Sequence, residues 1–255
     1  MDKVFIKNRN GVKLAIVVEQ TPNQKGLAFV MYGQGGFKED LNVRTFTEAF
    51  LGKEYTVITF DTTNTIGESG GKMEDATITS YYQDLEDVIE WSKSQEWYQE
   101  PFVLAGHSLG GICIALFAQK YPEKVRALAP ISTVVSGKLT WETMPKEELE
   151  EFRRKGYIVT PSISKPGVMK KLSWASMEDR LKYDLIPEAG KLIMPVLMIV
   201  GEKDTSTPLR HEELLYGKLP GKKEIHVIKG APHTFRDPEH LKEIKQVFLN
   251  WIDKI

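Results

Sequence analysis

Phe102-Val103-Leu104-Ala105-Gly106-His107-Ser108-Leu109-Gly110-Gly111-Ile112-Cys113-Ile114-Ala115-Leu116-Phe117-Ala118 is the stretch on which the fold of this chain turns. Its first four residues form a continuous apolar run, the pattern of a strand covered on both faces. Its last seven are apolar on every side, the pattern of a buried helix. Between them, Gly106 to Gly110 fits Gly-x-Ser-x-Gly, a turn that lifts a serine hydroxyl out of a strand-to-helix junction. The turn is sharp enough to strain the serine backbone, and small flanking residues let strand and helix approach. Five residues alone recur by chance, but in a strand-turn-helix context they read as a nucleophile elbow.

Outward from the elbow, β-rich runs alternate with helical patterns. Residues 3–8 and 12–19 predict a hairpin turned at Asn10-Gly11, a favoured hairpin dipeptide. Residues 26–32, 55–60, 101–106, 125–132, 195–201 and 224–229 predict six further strands, most of them continuous apolar runs. Ile78, Tyr81, Tyr82, Leu85, Val88 and Ile89 share one helical face. So do Leu241, Ile244, Phe248, Trp251 and Ile255, in a helix expected to start at Asp237 with Pro238 in its first turn. Strands alternating with helices imply an α/β class with a mostly parallel eight-stranded sheet and helices on both faces.

One region breaks the rhythm. Residues 134–192 offer no strand of the sheet. Residues 145–155 predict a very polar helix stopped by Gly156, residues 157–163 a short hairpin arm, and residues 176–184 another short helix. An insertion this long in a compact domain is usually functional. It is expected to be a cap or lid within a single domain spanning residues 1–255.

The totals bound the function classes. The chain has 255 residues, enough for one large core, and a formal net charge of -1, which gives no nucleic-acid footprint. Cys113 is the only cysteine, so no internal disulfide is possible. Met1-Asp2-Lys3-Val4-Phe5-Ile6-Lys7 lacks a signal-peptide pattern, and no run approaches the roughly 18 apolar residues of a membrane span. The expectation is a cytoplasmic chain with a small-molecule partner, no nucleic acid and no membrane span.

A serine hydroxyl is a poor nucleophile at neutral pH and needs a base, itself oriented by an acid. Glu202 and Asp204 both lie just past the strand at 195–201, where α/β sheets place their ligands. Pro208 stiffens the loop just beyond Asp204. His233 follows the strand at 224–229 in the loop Gly230-Ala231-Pro232-His233-Thr234-Phe235. Of the other histidines, His226 falls within a strand, His211 and His240 fall in helical patterns, and His107 is expected to point away from the site. An oxyanion forming beside Ser108 needs two backbone N–H donors. Leu109 N–H, at the start of the helix, is one candidate. Gln34 N–H, in Tyr32-Gly33-Gln34-Gly35-Gly36, is the other. A phosphate-binding reading of this glycine-rich loop fails, because the Lys-Ser/Thr of a P-loop is missing.

Together these residues resemble the α/β-hydrolase superfamily over essentially the whole chain. Within it the chain is similar to compact bacterial serine esterases of the feruloyl/cinnamoyl-esterase and acylglycerol-lipase type. The carriers are Gly33-Gln34-Gly35-Gly36, Phe60-Asp61, Gly67-Glu68-Ser69, Gly106 to Gly111, Gly201 to Asp204 and His233-Thr234-Phe235. The family's order of nucleophile, acid and histidine selects Ser108, Asp204 and His233. Two departures stand out. The oxyanion loop begins Tyr32-Gly33 where the family has His-Gly. The segment Asp61 to Ser69 is one residue longer than the family's Asp-x-x-Gly-x-Gly-x-Ser and lacks its first glycine.

The resemblance implies a serine hydrolase that cleaves carboxylic esters through an acyl-enzyme, with no metal or organic cofactor. Aromatic or short-to-medium acyl esters are the expected substrates. Tyr32, Trp141, Phe152, Tyr157 and Trp174 are the expected pocket aromatics. A thioesterase, an amidase or peptidase, or a C–C hydrolase would use the same three residues. A ligand receptor on a hydrolase fold is the competing class. A haloalkane dehalogenase is disfavoured, because it needs a carboxylate at position 108.

Overall fold

A computed structural model describes residues 1–255. Ten strands form, eight of them in one sheet: β1 (Asp2–Lys7), β2 (Lys13–Glu19), β3 (Gly26–Met31), β4 (Tyr55–Asp61), β5 (Phe102–His107), β6 (Val125–Ile131), β9 (Val196–Gly201) and β10 (Lys223–Ile228). Their order is β1-β2-β4-β3-β5-β6-β9-β10. The six strands from β4 to β10 run parallel, while β2 pairs antiparallel with both β1 and β4. Every residue of β3, β4 and β5 is buried, which is why these segments read as mostly apolar runs. The first hairpin turns where expected. Gly11 takes φ +74, and the Asn8 side-chain oxygen accepts the N–H groups of Asn10 and Val12.

The helices α1 (Leu41–Leu51), α2 (Ile78–Ser92), α3 (Leu109–Lys120), α7 (Leu209–Lys218) and α8 (Pro238–Ile252) belong to this body. The sheet order reverses at β3: the chain leaves it toward β4, then returns past it to β5. Right-handed crossovers in opposite directions put α1 on one face and α2 and α3 on the other. α8 packs on α1, and α2 packs on α3. Phe46 and Phe50 of α1 meet Phe248 of α8 at ring distances of 5.1 and 5.7 Å. Asp237 caps α8 by accepting the N–H groups of Glu239 and His240, with Pro238 in the first turn. No helix is long and apolar enough to cross a membrane.

Between β6 and β9 lie α4 (Gly137–Glu142), α5 (Lys146–Lys155), the two-stranded hairpin of β7 (Tyr157–Pro161) and β8 (Met169–Ser173), and α6 (Trp174–Arg180). Gly156 ends α5 at φ +76, as its sequence position suggested. The last helix forms earlier than the sequence suggests, at 174–180 rather than 176–184. Ser173 already has the extended backbone of a helix N-cap, and Asp184 is drawn instead into a bridge with Ser136. Asp179 of α6 anchors the segment to the body by accepting from the Thr79 N–H and hydroxyl at 3.0 and 2.6 Å.

Candidate active site

The loops after β3 and β5 flank the point where the sheet order reverses, so the crevice between them is where an α/β sheet receives a ligand. At its floor Ser108 sits at φ 54 and ψ -112, a region that strains any residue with a side chain. The strain persists because neighbours fix the turn. Ser108 N–H donates to Ile131 O at 2.9 Å. A Cβ on Gly106 would lie 2.6 Å from Gly110 O, and one on Gly110 would lie 2.5 Å from Tyr32 O. Strand and helix therefore close to a distance that only glycine allows.

Ser108, His233 and Asp204 form one hydrogen-bonded chain. Ser108 Oγ lies 2.9 Å from His233 Nε2, and His233 Nδ1 lies 2.8 Å from Asp204 Oδ2. The Asp204 side chain is fully buried. Its Oδ1 accepts the N–H groups of Ser206 and Thr207, and its Oδ2 accepts the Thr207 hydroxyl, all at 2.9 Å. Burial works to raise the Asp204 pKa, but the His233 contact and these donors outweigh it and hold the carboxyl below its ordinary range. Glu202, the rival acid, is exposed and accepts Gly230 N–H at 2.7 Å, bracing the histidine loop from outside.

His107 departs from expectation. It does not point away. Its ring lies 4.9 Å from that of His233, and its Nε2–H donates to His233 O at 2.8 Å. The loop after β10 folds over the end of β5 and encloses it. Burial, then the neighbouring His233, push its pKa down to about 3, so it is a neutral brace.

Gln34 lines the same cavities as Ser108, and Leu109 follows Ser108 directly. Leu109 opens α3, where the first N–H groups have no intrahelical partner. Gln34 N–H has no hydrogen-bond partner in the protein. Its side chain is held on both ends, with Nε2 donating to Ala76 O and Oε1 accepting from Arg180 Nη2.

The two departures from the family pattern explain each other. Tyr32 is only 2% exposed and does not line the pocket. Its hydroxyl accepts Thr62 N–H at 2.7 Å and contacts the Thr62 hydroxyl at 2.9 Å, so it joins the loops after β3 and β4 from below. The longer loop after Asp61 then reaches back, and the Thr65 hydroxyl donates to Gly36 O at 2.6 Å. Asp61, fully buried, accepts Lys38 Nζ at 2.9 Å, Lys38 N–H at 2.9 Å and Glu68 N–H at 2.8 Å.

Two cavities meet at Ser108. One, of about 410 Å³, runs under the inserted segment and is walled by Val134, Phe152, Ile158, Leu172 and Met177. The other, of about 70 Å³, lies along the loop Gly33 to Gly36. Gln34, Ser108, Lys170 and His233 line both. Of the expected aromatics only Phe152 reaches a cavity wall. Trp174 packs edge-on against Trp141 and Phe152 at 5.2 and 5.3 Å, holding the segment together from behind. Tyr157 is 45% exposed and lies under the Lys171 ammonium at 4.8 Å. A segment of short helices and a two-stranded hairpin has little other core, so its large rings pack on one another. Lys170 and Arg180 line the larger cavity, but polar residues in a polar insertion carry no sequence signal that marks them.

Comparisons with known proteins agree with this geometry. Residues 27–163, just over half of the chain, match the family described as serine aminopeptidase, S33. The chain is 23% identical over 255 residues to the mitochondrial palmitoyl-protein thioesterase ABHD10 of Bos taurus, covering 98% of this chain and 71% of that one. Among solved structures it is similar to Est1E from Butyrivibrio proteoclasticus with ferulic acid bound, at TM-score 0.78, 19% identity and 98% coverage of both chains. The mouse alpha/beta hydrolase domain-containing protein 10 superimposes at TM-score 0.80, with 20% identity and coverage of 100% of this chain and 99% of that one. Taken with the sheet order and the elbow, these matches lead to one conclusion: the chain is an α/β hydrolase and belongs to the serine aminopeptidase S33 family.

Proposed function

We propose that this hydrolase cleaves carboxylic esters through an acyl-enzyme on Ser108. The observation that carries the reading is the unbroken chain from Ser108 Oγ through both nitrogens of His233 to Asp204. His233 Nε2 takes the hydroxyl proton as Oγ attacks the carbonyl carbon. Asp204 keeps Nδ1 protonated, so Nε2 is free to accept, and stabilises the imidazolium that forms. The carbonyl oxygen gains negative charge between the Leu109 and Gln34 N–H groups; one such donor is worth roughly 10²–10³ in rate. The imidazolium then protonates the departing alcohol. Water enters, gives a proton to His233 and releases the acid.

The apolar wall at Phe152, Leu172 and Met177 supports a short-to-medium acyl or an aromatic group, in line with the ferulic acid held by Est1E. A second reading, thioester cleavage, is favoured by the names of the ABHD10 relatives and uses the same steps with a thiol leaving group. The site is proposed to serve a small-molecule substrate of a cytoplasmic enzyme. The test pairs fluorophosphonate labelling with a panel of p-nitrophenyl esters, methyl ferulate, an acyl-CoA and a peptide amide. Labelling of the parent but not of Ser108→Ala, with ester turnover lost in that variant, is expected. Folded protein whose Ser108 does not label would refute the mechanism, and faster cleavage of acyl-CoA or amide would move the substrate class.

A further inference from the structure

Two cations face the larger cavity without a counter-charge. The Lys170 side chain, on β8, makes no hydrogen bond and no ion pair, although it lines both cavities. Its side chain lies across Gly35 of the oxyanion loop: a Cβ there would sit 2.6 Å from Lys170 Cδ and 3.1 Å from Nζ. Arg180, at the end of α6, spends one N–H group on Gln34 Oε1, while its Nε is buried with no partner. No carboxylate lies within ion-pair distance of either. Both side chains are half-buried, and the fold treats its fully buried cation differently. Lys38 contacts three carboxylates, Asp61, Glu68 and Glu39, at 2.6–2.9 Å.

The carboxylates nearest the two cations are committed elsewhere or exposed. Asp40 accepts from Phe37 N–H and the Ser164 hydroxyl, with Arg236 at 3.6 Å. Asp179 holds Thr79 and Lys182. Glu148 lies on the cavity wall but is solvent-exposed. Desolvation pushes the Lys170 pKa down and that of Arg180 down to about 10, so the fold by itself disfavours both charges. A charge half-withdrawn from water without a partner is costly unless one arrives with a ligand.

We infer that the substrate arm entering the larger cavity ends in a carboxylate, held between Lys170 and Arg180. This rests on the proposed ester hydrolysis at Ser108 and names its substrate class: half-esters of short dicarboxylic acids, or esters of a carboxylate-bearing alcohol. The apolar wall takes the methylenes and the cations take the charged end. Because Lys170 lies over Gly35 and Arg180 holds Gln34, the same anion also steadies the oxyanion loop.

The experiment compares kcat/KM within matched pairs. The acyl-side pair is p-nitrophenyl hemiglutarate and p-nitrophenyl pentanoate; the alcohol-side pair is butanoylglycolate and ethyl butanoate. One anionic member should exceed its neutral partner by about tenfold or more, as a charge-assisted contact allows. The advantage should shrink with added salt and fall to near unity in Lys170→Met. Circular dichroism checks that this variant, which loses no side-chain hydrogen bond or ion pair, stays folded. Arg180→Lys, which keeps the charge, should retain more of the advantage than Arg180→Met. Equal or better turnover of both neutral members, or an unchanged ratio in Lys170→Met, overturns this inference alone. Failure of the wild-type protein to cleave any of the four overturns the esterase reading as well.

Discussion

Lys38→Met isolates the energetic cost of the rebuilt loop beside the active site. Lys38 has three acidic contacts, but they are not equal. The Glu39 and Glu68 side chains are 47% and 43% exposed, and pairs of that kind contribute about 0–1 kcal/mol. Asp61 is 0% exposed, so it governs the result. Removing Lys38 leaves that carboxylate buried with two backbone donors and no counter-charge. Breaking such a pair typically costs about 3–5 kcal/mol. The two surviving N–H bonds, from residues 38 and 68, place the expected loss near ~3 kcal/mol. Urea unfolding followed by tryptophan fluorescence reads this directly. With a slope of about 3 kcal/mol per molar urea, the midpoint should fall by about 1 M. Lys38→Met combined with Asp61→Asn removes the stranded charge and should recover most of that loss. Esterase turnover should drop in the single variant, since Lys38 directly follows the oxyanion loop. A loss below about 1 kcal/mol, or a double variant no more stable than the single one, would show that the pair does not hold the loop.

Three further outcomes follow from the same geometry. His107 binds a proton only near pH 3 when folded but at about pH 6.5 when unfolded, so the unfolded chain takes up more protons between these values and stability falls on acidification. About 2 kcal/mol should be lost between pH 7 and pH 5, and His107→Gln should flatten that slope; an unchanged slope in denaturation curves would refute the assignment. Asp204→Asn should cut kcat by roughly 10³–10⁴ with little change in KM, because an amide cannot hold the required tautomer; a loss under tenfold in steady-state kinetics would speak for Glu202 instead. Phe152→Ala enlarges the acyl cavity and should shift kcat/KM toward longer acyl chains by roughly tenfold, and an unaltered chain-length profile would remove Phe152 from the pocket.

The comparison between sequence and structure divides along a physical line. All eight strands of the sheet are legible within a residue or so: the central ones because strands buried on both faces are mostly apolar, and the more exposed β1 and β10 from their shorter β-rich runs. Helix α1 was not among the helices expected from the sequence, although Val43, Phe46, Ala49 and Phe50 are all buried. The inserted segment was legible in outline, since Gly156 and the polar run before it have local meanings. Its aromatic residues were not. Trp141, Phe152 and Trp174 are alike in composition and neighbourhood, and only their mutual packing decides that Phe152 alone faces the cavity.

The sequence by itself determined the elbow, the order of Ser108, Asp204 and His233, and the parallel sheet that presents them. Those features are local: a strained turn needs glycines at fixed spacing, and a buried strand needs apolar residues in a row. Only the tertiary structure decided that His107 braces His233, that Tyr32 ties two loops from below, and that Lys170 and Arg180 stand unpaired over the oxyanion loop. Each of these depends on residues far apart in the chain, such as 107 with 233 and 34 with 180. Charge pairing and burial are properties of a neighbourhood in space, and neighbours that the fold supplies leave no periodicity along the chain.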